Sequence, residues 1–143
     1  MKRKTRIGFL FLGVALAAFV LLYAFAQRDR QAQQRQIDAL VSQSLSEGSE
    51  AFGNYLSSQE RESYLLGVSA FYQLKNLYPE SSYYAEQFAA AYSQVYAKLL
   101  FHEDLEPAEL QLLLDALEIL QADPGDIRGY TSLEQFVNAN GYT

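Results

Sequence analysis

His102 is the single imidazole in 143 residues, and it stands directly before Glu103 and Asp104, with Glu106 and Glu109 close behind. An imidazole beside carboxylates could serve as a general base titrating near neutral pH, or as a metal ligand. Clustered carboxylates can also do acid/base work or hold calcium. The local context favours plainer roles. His102 falls at the end of a predicted helix, where the dipole favours positive charge, and the acids precede the next helix, whose N-terminus favours negative charge. Their spacing lacks the ligand order of a calcium loop. Without Cys and with one His, no disulfide, thiolate zinc site, Cys/His pair or HExxH motif can be written, and no GxSxG or phosphate-loop pattern occurs. Asp123 and Asp126 flank Pro124-Gly125 as turn formers rather than ligands. The expectation is a protein that is not an enzyme, with no cofactor and no metal site.

Recognition chemistry falls instead to tyrosine. The chain has 11 Tyr, all but Tyr23 beyond the apolar N-terminal segment. A phenol joins a broad apolar face to a hydrogen-bonding tip, which suits both core margins and interfaces. Most of these residues lie on helical stripes and are expected to pack. Tyr83 stands off the main stripe of its helix, and Tyr78 and Tyr83 flank Pro79. Tyr78, Tyr83 and Phe88 are therefore the expected partner-binding anchors.

The charge is divided unevenly. Lys2, Arg3, Lys4 and Arg6 open the chain, whereas from Arg28 onward 7 basic and 17 acidic side chains leave a net of −10. Such a domain should not bind nucleic acid, which needs clustered Lys and Arg. Residues 7–26 form twenty consecutive uncharged positions, enough helix for about 30 Å of bilayer hydrocarbon. The reading is a basic cytoplasmic stub over residues 1–6 and one transmembrane helix, a signal anchor, over 7–27. Basic residues before the run outnumber Arg28 and Arg30 behind it, which leaves the N-terminus cytoplasmic and the remainder extracytoplasmic at the cell membrane. Small residues in Ala24-Phe25-Ala26 offer an alternative, secretion after cleavage following Ala26, although the run exceeds the roughly 7–15 residues of a signal-peptide core. Gly13 and Ala17 make one small-xxx-small step, more often plain lipid-facing sequence than a helix contact.

Residues 28–36 are polar and rich in helix formers, and read as a helical stalk. Residues 37–143 read as the exported domain. Ile37, Leu40, Val41, Leu45, Phe52, Tyr55 and Leu56 recur near the helical period, with a break or kink expected near Gly48. Ser57 with Glu60 predicts the capped start of a second helix carrying Tyr64, Leu65, Val68, Phe71, Tyr72 and Leu74. Its apolar residues cover more than one face, so it needs neighbours on both sides. Pro79 ends it. Ser81 or Ser82 should cap a third helix, with Tyr84, Phe88, Tyr92, Val95, Tyr96 and Leu99 along one side and Gln87, Ala90, Gln94 and Lys98 on the other. Glu106, Pro107 and Glu109 announce a fourth helix with a stripe of Leu110, Leu113, Leu114, Leu117 and Leu120. The turn at 123–126 stops it. Thr131 with Glu134 predicts a last short helix burying Leu133, Phe136 and Val137, closed by Asn140-Gly141. No segment alternates as a half-buried strand would. The fold class is all-α: a compact bundle or hairpin stack of four to five amphipathic helices.

Residues 67–96, GVSAFYQLKNLYPESSYYAEQFAAAYSQVY, resemble the junction between two tetratricopeptide repeats of bacterial envelope proteins. Gly67, Phe71 and Pro79 fall at the small, aromatic and closing-proline positions of one repeat, and Ala89 and Tyr92 at the small and aromatic positions of the next. Leu74 departs from the pattern, where a small residue is expected. The resemblance implies peptide or protein binding on a concave helical face. Together these features lead to an expected membrane-anchored interaction module, an adaptor or accessory subunit with an envelope protein as partner. Binding of cell-wall glycan or a small ligand by tyrosine stacking is the alternative, and hydrolysis at the acidic cluster near His102 the least favoured.

Overall fold

The computed structural model describes residues 2–102 and 104–139, with side chains from residue 13 onward; the predicted Asn140-Gly141 closure lies outside them. Among the described residues there are five α-helices and no strand: α1 (Lys2–Ser58), α2 (Arg61–Leu77), α3 (Ala91–Phe101), α4 (Pro107–Ala122) and α5 (Ile127–Asn138). Short 3₁₀ turns occupy Tyr78–Glu80 and Glu86–Phe88. The all-α expectation holds. The chain forms two compact units, Met1–Arg35 and Gln36–Thr143.

In the first unit, the large apolar side chains from Val14 to Phe25 are 59–71% exposed, and they lie on all sides of the helix. Among the described residues no helix is long and apolar enough to cross a membrane. The apolar run read from the sequence begins at Ile7, and the side chains of residues 7–12 lie outside those described.

The second unit is built on two hairpins, each touched by α3. α1 turns into α2 at Gln59, whose φ of 57° is the left-handed conformation that commonly ends a helix. The Gln59 N–H donates to the Tyr55 carbonyl at 2.8 Å. α1 and α2 then lie antiparallel, with the Phe52 ring so close to Gly67 that a Cβ there would stand 2.5 Å from it. α4 and α5 form the other hairpin, in which Gly129 admits Leu120 in the same way, a Cβ falling 2.4 Å from the leucine. α3 runs antiparallel to α2: Tyr64 donates to the Leu99 carbonyl at 2.6 Å, and Phe71 meets Tyr92. Leu45, Phe52, Phe71, Leu74, Val95, Leu99, Leu113, Leu117 and Phe136 are fully enclosed between these elements.

Four boundaries depart from the sequence reading. α1 does not break at Gly48; the glycine is buried, and a Cβ there would meet the Ala70 Cβ at 3.4 Å. Packing that close offsets the roughly 1 kcal/mol that glycine costs a helix interior. Ser57 does not open α2: its hydroxyl donates back to the Gly53 carbonyl at 3.1 Å, and Glu60 becomes the N-cap without a side-chain cap bond. Ser81 and Ser82 do not open α3. Ser82 instead donates its N–H and hydroxyl to the Asp38 carboxylate at 2.8 and 2.6 Å, and residues 81–90 stay irregular but for one 3₁₀ turn. α5 starts four residues before Thr131, at Ile127, where the Asp126 carboxylate accepts from the Arg128 N–H at 2.8 Å. The same side-chain pairing with Arg128 holds the Asp126 carboxyl below the usual carboxylate range. Pro79 and the Glu106-Pro107-Glu109 start behave as read: the Glu109 carboxylate accepts the Glu106 N–H at 3.1 Å.

Candidate functional site

The three predicted anchors occupy different depths. Tyr78 is a correction: it is 1% exposed, at the centre of an aromatic cluster, and no partner can rest on it. The turn after α2 swings its ring inward against Tyr84, Tyr92 and Tyr130, with centroids 5.1–5.5 Å apart. Its hydroxyl accepts the Ala85 N–H at 3.0 Å, which fixes the loop that the sequence reading made helical. Phe88 is half-buried and stacks on Tyr130 at 4.8 Å and 11°. Tyr83 is half-buried against the core. The structure brings Tyr78 and Phe88 to one cluster through Tyr130, as packing rather than as an open surface.

Inside this cluster the Tyr130 hydroxyl donates to the Pro124 carbonyl at 2.6 Å. The Tyr92 hydroxyl is buried without a hydrogen-bond partner; the Tyr130 hydroxyl approaches it without completing a bond. Burial lifts both phenols well above the tyrosine range, and for Tyr130 the neighbouring Tyr92 and Tyr78 push in the same direction.

The acidic cluster is dispersed. Glu103 lies outside the described residues, Asp104 and Glu106 are exposed, and Glu109 turns into the core. There it pairs with Lys98 at 3.0 Å, both side chains below 10% exposure. Lys98 is a further correction, since its helical register suggested a solvent-facing position. Its ammonium donates to Glu109 Oε1, to the Phe136 carbonyl at 2.6 Å and to the Ala139 carbonyl at 3.0 Å. The second Glu109 oxygen holds the α4 N-terminus, so one ion pair ties the start of α4 to the end of α5. An ammonium and a carboxylate satisfied this fully are structural. His102 is the C-cap of α3, half-buried. Among the described residues no group of His, Asp or Glu could hold a metal ion.

Large apolar side chains of the second unit stay exposed at Leu40, Tyr84, Leu100, Phe101, Leu112 and Ile127 and, three on one helix, on the outward side of α2. Tyr64, Gly67, Val68, Phe71 and Leu74 face the core, α1 covers the flank at Gly67 and Ala70, and Tyr96 of α3 meets Tyr72 at 5.7 Å. Left uncovered are Leu65, Leu66 and Tyr72, 50%, 59% and 51% exposed; Leu65 and Tyr72 share a stripe with Ser69 between them, and Leu66 stands about 100° round the helix on the α1 side. No family model, curated protein or solved structure matches this chain. The α2 face must be judged by its own geometry.

Leu65 and Leu66 on one turn and Tyr72 two turns further on give α2 a broader exposed apolar surface than a single scattered residue would, the kind that marks an interaction surface. On one side the patch falls into a groove of about 340 Å³ between α1 and α2, with Ala51 and Ala70 in its floor and Glu47, Glu50 and Asn54 on its α1 rim. On the other side the Lys75 ammonium lies over the Tyr72 and Tyr96 rings, 4.9 and 5.2 Å from their centroids. Sequence reasoning assigned Leu65 and Tyr72 to the core and passed over Leu66. The available signal was the breadth of apolar cover on this helix: it called for two neighbours, α1 and α3 supply them, and a third face is left over.

Proposed function

We propose that this chain is a membrane-anchored, non-catalytic protein-interaction module, an adaptor or accessory subunit of an envelope complex. Its contact surface is the outward face of α2. The exposure of Leu65, Leu66 and Tyr72 on a helix otherwise packed into the core carries this reading. Residues 7–26 serve as the single membrane span, supported by twenty uncharged positions in sequence and by the exposure of the apolar side chains from Val14 to Phe25. The basic stub keeps the N-terminus in the cytoplasm, so the acidic domain works on the other side. Confining module and partner to one membrane raises their effective concentration and lets a modest patch suffice. The resemblance of residues 67–96 to tetratricopeptide repeats points to the same use.

The test is a variant with Leu65→Ser, Leu66→Ser and Tyr72→Ser in the full chain, purified from native membranes beside the unaltered protein. All three side chains are exposed, so the fold should survive, as circular dichroism would show. Co-purifying protein should be lost. Unchanged co-purification with an intact fold would end the assignment of this face.

A further inference from the structure

We infer that the occupant of the α2 face is a basic amphipathic helix of another protein, its apolar side on Leu65, Leu66 and Tyr72 and its Lys or Arg side chains on Glu47 and Glu50. This deepens the proposed interaction module and rests on it. From Gln36 onward the chain carries 16 acidic residues against Arg61, Lys75, Lys98 and Arg128. Lys98 is spent on Glu109 and Arg128 on Asp126, and Lys75 lies over aromatic rings on the far side of the patch. Glu47 and Glu50 are both exposed, on the rim of the groove that Leu66 also lines. Among the described residues neither is met by a basic side chain, and Glu47 accepts an amide hydrogen bond from Gln43 at 2.7 Å.

The shape suits a helix. Residues three apart on α1 bring Glu47 and Glu50 about one turn from each other, the spacing at which Lys or Arg side chains three or four apart on a partner helix would match them. Alanines in the groove floor let a neighbouring backbone come close beside Leu66, and Leu65 and Tyr72 extend the apolar contact that helix-in-groove recognition uses. Charge excludes the other occupants. A second copy meeting this face about a twofold axis would lay two acidic rims together, because such an interface repeats the same patch on both sides. Anionic lipid headgroups and nucleic acid would be repelled by the same carboxylates.

The test places a photo-crosslinking phenylalanine analogue at position 66 of the full chain in its native membrane and maps the joined peptide by mass spectrometry. The expected product is a segment of a different protein with apolar residues at helical spacing and Lys or Arg on one edge. Replacing Glu47→Lys and Glu50→Lys together should cut its yield about tenfold, the effect of two rim charge pairs, and exchanging the mapped basic residues for Glu should restore it. Joining to a second copy, to lipid or to an acidic or uncharged segment would overturn the basic occupant and leave the face standing as an interface. So would a yield indifferent to the charge reversal. Absence of any product from positions 65, 66 and 72 would overturn the face itself.

Discussion

The hydroxyls of Tyr92 and Tyr130 lie where a phenolate would be poorly solvated, and burial raises both above their ordinary value of 10.0. Below that value folded and unfolded chains both keep these protons, so the phenols leave stability unchanged. Above it the unfolded chain releases protons that the folded domain retains, and stability drains away as the pH climbs towards the raised values. The thermal midpoint should therefore fall steeply above pH 10.0, with the ultraviolet band of phenolate appearing together with unfolding. Replacing Tyr92→Phe deletes the hydroxyl that has no partner. That change should raise stability by about 1 kcal/mol and make the alkaline decline shallower. A loss of stability in this variant would mean that the hydroxyl is satisfied after all.

Helix ends were legible where short-range chemistry decides them and illegible where a distant residue does. Pro79 and Glu106-Pro107-Glu109 act within one turn, so their effect could be read directly from the chain. Ser82 could not be read, because what it binds is Asp38, 44 positions away. Lys98 looked solvated until Glu109 and the end of α5 supplied acceptors for its ammonium. Among the site residues, Tyr78, Tyr83 and Phe88 could be picked out as aromatic, but that Tyr78 turns inward depended on the turn after α2. The glycines divide in the same way. Gly67 is required by the Phe52 ring, and Gly67→Ala should cost about 1–3 kcal/mol by urea unfolding. Gly53 has nothing within 4 Å of an added Cβ. Gly53→Ala should accordingly stabilise α1 by about 0.5–1 kcal/mol. Equal effects at the two positions would contradict the packing described for α1 on α2.

For the molecule as a whole, the proposed anchor, with its basic stub before it and the acidic domain behind, predicts a definite orientation across a membrane. A cleavable tag fused after Thr143 should be digested by protease added to intact cells whose outer barrier has been removed. A tag that resists until the membrane is opened would place the domain in the cytoplasm. The link between Lys98 and the end of α5 has a consequence for biogenesis. Until the chain through Ala139 has emerged and wound into place, the ammonium of Lys98 lacks the Phe136 and Ala139 carbonyls. A copy cut short of Phe136 would leave a desolvated charge without those two carbonyls, loosening the helices that meet there. Protease should therefore cut such a shortened copy more readily than the chain that reaches Ala139.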